Sequence, residues 1–144
     1  MTIAMPVVLG GMLALALAAF ANRRSAHHAV RVYATALIVA ALIYVAFALI
    51  GRASGAWLLV EMGGVALFGA AAAVGRRVWS PTLAIGWAAH VAWDLALHRS
   101  GDGAAYTPWW YPWFCVGFDL TLAACILTLR VAFGALGGTH VREL

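Results

Sequence analysis

At 144 residues the chain is one domain by length, with 65% hydrophobic residues and only 10% charged. Soluble domains typically carry about a quarter of their residues as charged side chains, so most of this chain must be solvated by lipid. The net charge of +4 comes from arginine alone, in short clusters between apolar runs; no basic face exists for nucleic acid.

The first apolar run, Ile3 to Ala21, is long enough to cross a hydrocarbon core of about 30 Å. It ends in Ala19-Phe20-Ala21, which mimics a signal-peptidase site. Positive charge follows the run at Arg23-Arg24 and does not precede it, the reverse of a secretory signal. A retained helix with an outside N-terminus is expected. Asn22 to His28 reads as a short polar loop, where His27-His28 is more simply solvated than half of a metal site. The second run, Ala29 to Ile50, has Arg31 near its start, able to snorkel to the headgroups, and Tyr44 in its far half.

Gly51 to Gly55 is turn chemistry, so the third run, Ala56 to Gly75, is expected antiparallel beside the second. It carries Glu61 and then Gly63-Gly64, small residues that permit close helix approach. Ser80-Pro81 reads as an N-cap followed by proline at the first helical position, opening a fourth helix that runs to about His98. Arg99 to Gly103 is a turn, and the aromatic stretch from Tyr106 to Trp113 suits an interfacial belt. The fifth run extends from Pro112 to Phe133, with Gly134 as the expected break. Cys115 and Cys125, ten residues apart in that run, lie about 15 Å apart along a helix, too far for a disulfide.

The fold class that follows is all-α: one domain, 1–144, of five transmembrane helices at about 3–21, 29–50, 56–75, 80–98 and 112–133. With the N-terminus outside and the C-terminus inside, Arg23, Arg24, Arg31, Arg76, Arg77, Arg130 and Arg142 collect on the inner side. Only Arg52 and Arg99 remain outside, the bias of the positive-inside rule. The expected location is a bacterial plasma membrane.

Five ionisable residues fall within or at the edge of these runs: Glu61, His90, Asp94, His98 and Asp119. His90, Asp94 and His98 recur every four residues and so share one helix face. At about 1.5 Å of rise per residue, Glu61 lies about 8 Å from the outer surface, Asp119 about 10 Å, Asp94 about 6 Å and His90 about 12 Å. All five therefore occupy the outer half of the bilayer, where buried charge usually serves a function.

Four readings compete for this cluster. His90, Asp94, His98 and Asp119 could ligate a divalent transition metal, with zinc, iron or manganese suiting a nitrogen and oxygen donor set. Asp94, Asp119 and Glu61 could instead be the catalytic acids and bases of a metal-free isomerase, cyclase or hydrolase acting on a lipid or isoprenoid. Trp87, Trp93, Trp110 and Tyr44 would line the substrate pocket and could stabilise developing positive charge. The same groups could be interhelical hydrogen-bonded glue in a structural or partner-binding subunit. Ion-coupled transport is the fourth reading, although no acid or histidine continues a path through the inner half. The leading expectation is a membrane-embedded enzyme on a lipophilic substrate, with membrane lipid and a second copy of the chain as further partners.

The segment His90-x-x-Trp93-Asp94-x-x-x-His98, then Pro108-Trp109-Trp110-Tyr111-Pro112 and Cys115-x-x-x-Asp119, resembles a small bacterial integral-membrane family of unknown function. The resemblance covers about the last third of the chain and implies no reaction. A looser similarity is to sterol-isomerase-type membrane proteins, compact bundles with acids and a tryptophan around a lipid pocket; it transfers no motif.

Overall fold

The computed structural model describes residues 2–78 and 81–139, and every regular element among them is helical. In chain order these are α1 (Ala4–Asn22), α2 (Ala26–Ile50), α3 (Gly55–Val78), α4 (Pro81–Leu97), a one-turn 3-10 helix (Asp102–Ala105) and α5 (Tyr111–Thr139). The expected Ser80 cap and the tail residues His140 and Arg142 lie outside the described residues. Four helices are long and apolar enough to cross a membrane, as in a membrane protein. The fifth, α4, has only 17 residues and stops at Leu97, which leaves His98 beyond its end.

Three boundaries differ from expectation for identifiable reasons. Ser25 adopts extended backbone and its hydroxyl accepts a hydrogen bond from the His28 N–H at 3.2 Å, capping α2 three residues early. His27 and His28 therefore sit in the first turn of a helix and not in a loop. Ser54 receives the Trp57 N–H at 3.4 Å just ahead of α3. At the far end, α5 passes through Gly134 to Thr139, since a glycine costs a helix interior only about 1 kcal/mol.

Helix α2 packs chiefly on α3, α4 on α5 and α3, and α1 on α5. The core is alanine-rich, with Ala14, Ala18, Ala34 and Ala41 letting the helices close around Tyr33, Leu37, Phe68, Trp87 and Leu122. Leu9, Met12, Leu13, Leu59 and Ile85 point outward, as side chains in lipid would.

The contact between α1 and α5 is backbone on backbone. A Cβ placed on Gly117 would fall 1.9 Å from the Val7 carbonyl oxygen, and one on Gly10 would fall 2.0 Å from that of Phe114. Val7 meets Gly117 while Gly11 meets Thr121, so the two helices run in the same direction. Such an approach is how apolar helices gain van der Waals contact where lipid removes the hydrophobic drive between them.

Candidate metal centre

Helix α4 presents His90 and Asp94 one turn apart on its inward face, and α5 brings Asp119 against them. All three have no exposed side-chain surface. His90 Nδ1 lies 2.9 Å from Asp119 Oδ2 and 3.4 Å from Asp94 Oδ2, so the imidazole stands between the two carboxylates. One donor atom from each residue lies within 4.8 Å of the other two. The face-sharing and depth expected from sequence place these three residues together, as observed.

The polar atoms around this point are short of partners. His90 Nε2, Asp94 Oδ1, Asp119 Oδ1, the Tyr44 hydroxyl, Trp87 Nε1 and His98 Nε2 are buried with no hydrogen-bond partner among the described residues, and Asp94 Oδ2 has only the 3.4 Å contact to His90. Native interiors rarely leave one such group unpaired, because desolvation without a bond costs about 1–3 kcal/mol each. Unpaired atoms on His90, Asp94 and Asp119, three residues that converge, mark a site shaped for something polar or charged. Its walls are aromatic: Phe68 stands edge-on to His90 at 4.8 Å, Tyr44 is 6.1 Å away, and Trp87 packs on Phe118.

His98 is expected as a fourth ligand; it is not among the three residues that could hold an ion, and it meets a second set of partners. It lies just past the end of α4, with Tyr44 in contact with both its ring and that of His90. There its Nε2 is 3.5 Å from Glu61 Oε1, its Nδ1 is 3.3 Å from the Thr107 hydroxyl, and Tyr44 stacks on the ring at 3.9 Å. The Tyr106 hydroxyl donates to Glu61, and burial followed by that carboxylate pushes the phenol up from the ordinary tyrosine range. Tyr106 thus stays a donor near neutrality. A cleft of about 280 Å³ between the 51–54 turn and the 102–106 segment opens onto it.

Of the aromatic residues expected in a pocket, Tyr44 is buried beside the cluster, Trp87 is buried against Phe118, and Trp93 is half-buried between Phe68 and Gly64. A Cβ on Gly64 would press on the Trp93 indole at 3.0 Å, so that glycine seats the ring. Trp110 does not join them. It is exposed at the start of α5 and lines an apolar cleft with Met5, Pro6, Leu9 and Phe114, because that turn of α5 faces α1 and the bundle exterior. Tyr106 and Thr107 escaped sequence reasoning, since a loop carries no periodicity to show where its side chains return.

The three donors suit one small cation. Ligand atoms about 2.1 Å from a shared ion lie about 3.0 Å apart at a right angle and about 3.4 Å apart at a tetrahedral one. The three donor atoms lie within 4.8 Å of one another, close enough that small side-chain shifts bring them onto one ion, with His90 Nδ1 giving up its hydrogen bond to Asp119. Two carboxylates balance a divalent charge in an apolar interior, and one imidazole nitrogen with carboxylate oxygens is a donor set for zinc, iron or manganese. Comparison with protein-family models, curated proteins and solved structures finds no match, so the reading of this site rests on its geometry.

Proposed function

We propose that the chain is a membrane-embedded metalloenzyme in which His90, Asp94 and Asp119 hold one divalent ion that acts on a lipophilic substrate. The observation that carries this reading is the convergence of three fully buried donors, His90, Asp94 and Asp119, each with a polar atom left unpartnered. Three protein ligands are the usual complement of a catalytic site, which keeps a position open for water or substrate. A bound ion would supply Lewis-acid chemistry there. Tyr44 offers an O–H to a substrate oxygen beside it, and Phe68 with Trp93 provides apolar wall. Glu61, held by Tyr106 and His98, places a carboxyl that can hold or release a proton toward the outer cleft.

The test is elemental analysis of full-length protein purified without a histidine tag, added metal or chelator. About one equivalent of zinc, iron or manganese is expected. Binding requires neutral imidazole and charged carboxylates, so the metal is retained at pH 7.5 and lost as pH falls through the histidine range toward about 5. Less than about a tenth of an equivalent at pH 7.5 overturns the proposal. It would favour metal-free acid–base chemistry, for which the 2.9 Å His90–Asp119 hydrogen bond is already in place.

The proposed arrangement has five spans, with the N-terminus outside. Single cysteines at positions 53 and 102 should then react with a membrane-impermeant maleimide from outside intact cells, and one at position 25 only after lysis. Labelling of position 25 from outside would reverse the orientation.

A further inference from the structure

At the end of the bundle opposite the metal centre, α2 and α3 leave a cleft of about 320 Å³ lined by His27, Val30, Arg31, Ala73, Arg76 and Arg77. Arg76 is eight residues beyond Phe68, the α3 residue that packs on His90, so the cleft lies about 12 Å along the bundle from the metal centre. Three guanidinium groups and an imidazole from two helices share this one cleft. Among the described residues none of the three arginines is ion-paired, and no acid lines the cleft.

Topology alone does not call for this. Arginines satisfy the positive-inside rule from any point of a loop and in any direction. Here Arg31 comes from the second turn of α2 and meets the last turn of α3, and the early start of α2 brings His27 beside it. The lining that completes the cleft is apolar, from Val30 and Ala73. Arginine forks above an apolar floor, at the end of helices long enough to cross a membrane, match a phosphate with hydrocarbon attached.

We infer that this cleft binds the phosphodiester headgroup of an anionic membrane lipid, with Arg31, Arg76 and Arg77 on the phosphate oxygens and the first acyl carbons against Val30 and Ala73. The site is independent of the metal proposal. Basic pockets between transmembrane helices are a known way of holding such headgroups.

The test is native mass spectrometry of the full chain in a neutral detergent, titrated with phosphatidylglycerol, phosphatidylcholine or inorganic phosphate. Wild-type protein is expected to retain one phosphatidylglycerol, at least tenfold more tightly than phosphatidylcholine. Arg76→Gln/Arg77→Gln should lose that preference by tenfold or more, while Arg52→Gln/Arg99→Gln at the opposite end keeps it. Inorganic phosphate at millimolar concentration should displace little of the lipid. Displacement by phosphate as efficiently as by phosphatidylglycerol would overturn the lipid assignment. Equal retention of the two lipids, or of phosphatidylglycerol by wild type and the Gln/Gln variant, would overturn the site. Should the Gln/Gln protein fail to insert, Arg76→Lys/Arg77→Lys keeps the charge that directs insertion but loses the bidentate fork. A fall of about threefold is expected for it, and wild-type binding by it would also overturn the proposal.

Discussion

Asp94→Asn protein is expected to emerge from purification nearly stripped of metal but folded. The change keeps the side chain's size and one acceptor oxygen while removing one of two negative charges that balance a divalent ion. In an apolar interior that imbalance is not made up by water. Loss of an outer-shell partner alone typically costs metal affinity about 10- to 100-fold, so loss of a charged ligand should exceed a hundredfold. Asp119→Asn should behave alike and also weaken the 2.9 Å contact to His90. His98→Gln provides the contrast, because His98 is engaged with Glu61, Thr107 and Tyr44 and should leave the metal content unchanged. If Asp94→Asn retains a full equivalent while His98→Gln does not, the ligand set is misassigned. Glue between helices would predict only about 1 kcal/mol of lost association and no change in metal.

The second large effect is expected at Gly117. A valine there places its Cβ 1.9 Å from the Val7 carbonyl oxygen and 2.8 Å from its carbon, with the Gly11 backbone nitrogen at 3.1 Å. Every obstacle is main chain, so no rotamer relieves the overlap and α1 must move off α5. Overpacking in a core typically costs about 1–3 kcal/mol, and a clash of backbone with backbone belongs at or above the upper end. Gly10→Val should act in the same way against Phe114. Gly63→Val is the control, since nothing lies within 4 Å of its Cβ position. Thermal unfolding in detergent, followed by loss of a cysteine crosslink between α1 and α5, measures the difference. Equal stability of the Gly117 and Gly63 variants would show that the close approach does not hold the two helices together.

The helical runs were legible because apolar length and arginine clusters punctuate them unambiguously. His90, Asp94 and Asp119 were legible together because helical spacing fixes which face a residue takes and rise per residue fixes its level. His98 shares that face by spacing, but α4 stops at Leu97 and the imidazole turns to Glu61, Thr107 and Tyr44. Glu61 was placed at the right end of the bundle, but its partner Tyr106 comes from a loop. Gly10 and Gly117 gave no sign of their role, because a glycine in an apolar run does not reveal which backbone comes to meet it. Trp110 was assigned by residue type, and a tryptophan near a helix start serves the membrane interface as readily as a pocket.

The shortness of α4 has a consequence for the surrounding bilayer. Seventeen residues extend about 25 Å, some 5 Å less than a typical hydrocarbon core. In the proposed five-span arrangement, a bilayer in register with both ends of α4 would suffer hydrophobic mismatch and adapt by thinning locally. The dent would form on the helix that carries His90 and Asp94. Headgroups would then be drawn toward the polar cluster on that flank, and the polar end of the proposed amphiphilic substrate would have a shorter descent to the buried carboxylates than uniform thickness imposes. Acyl-chain length in the host membrane would set how deep the proposed site lies.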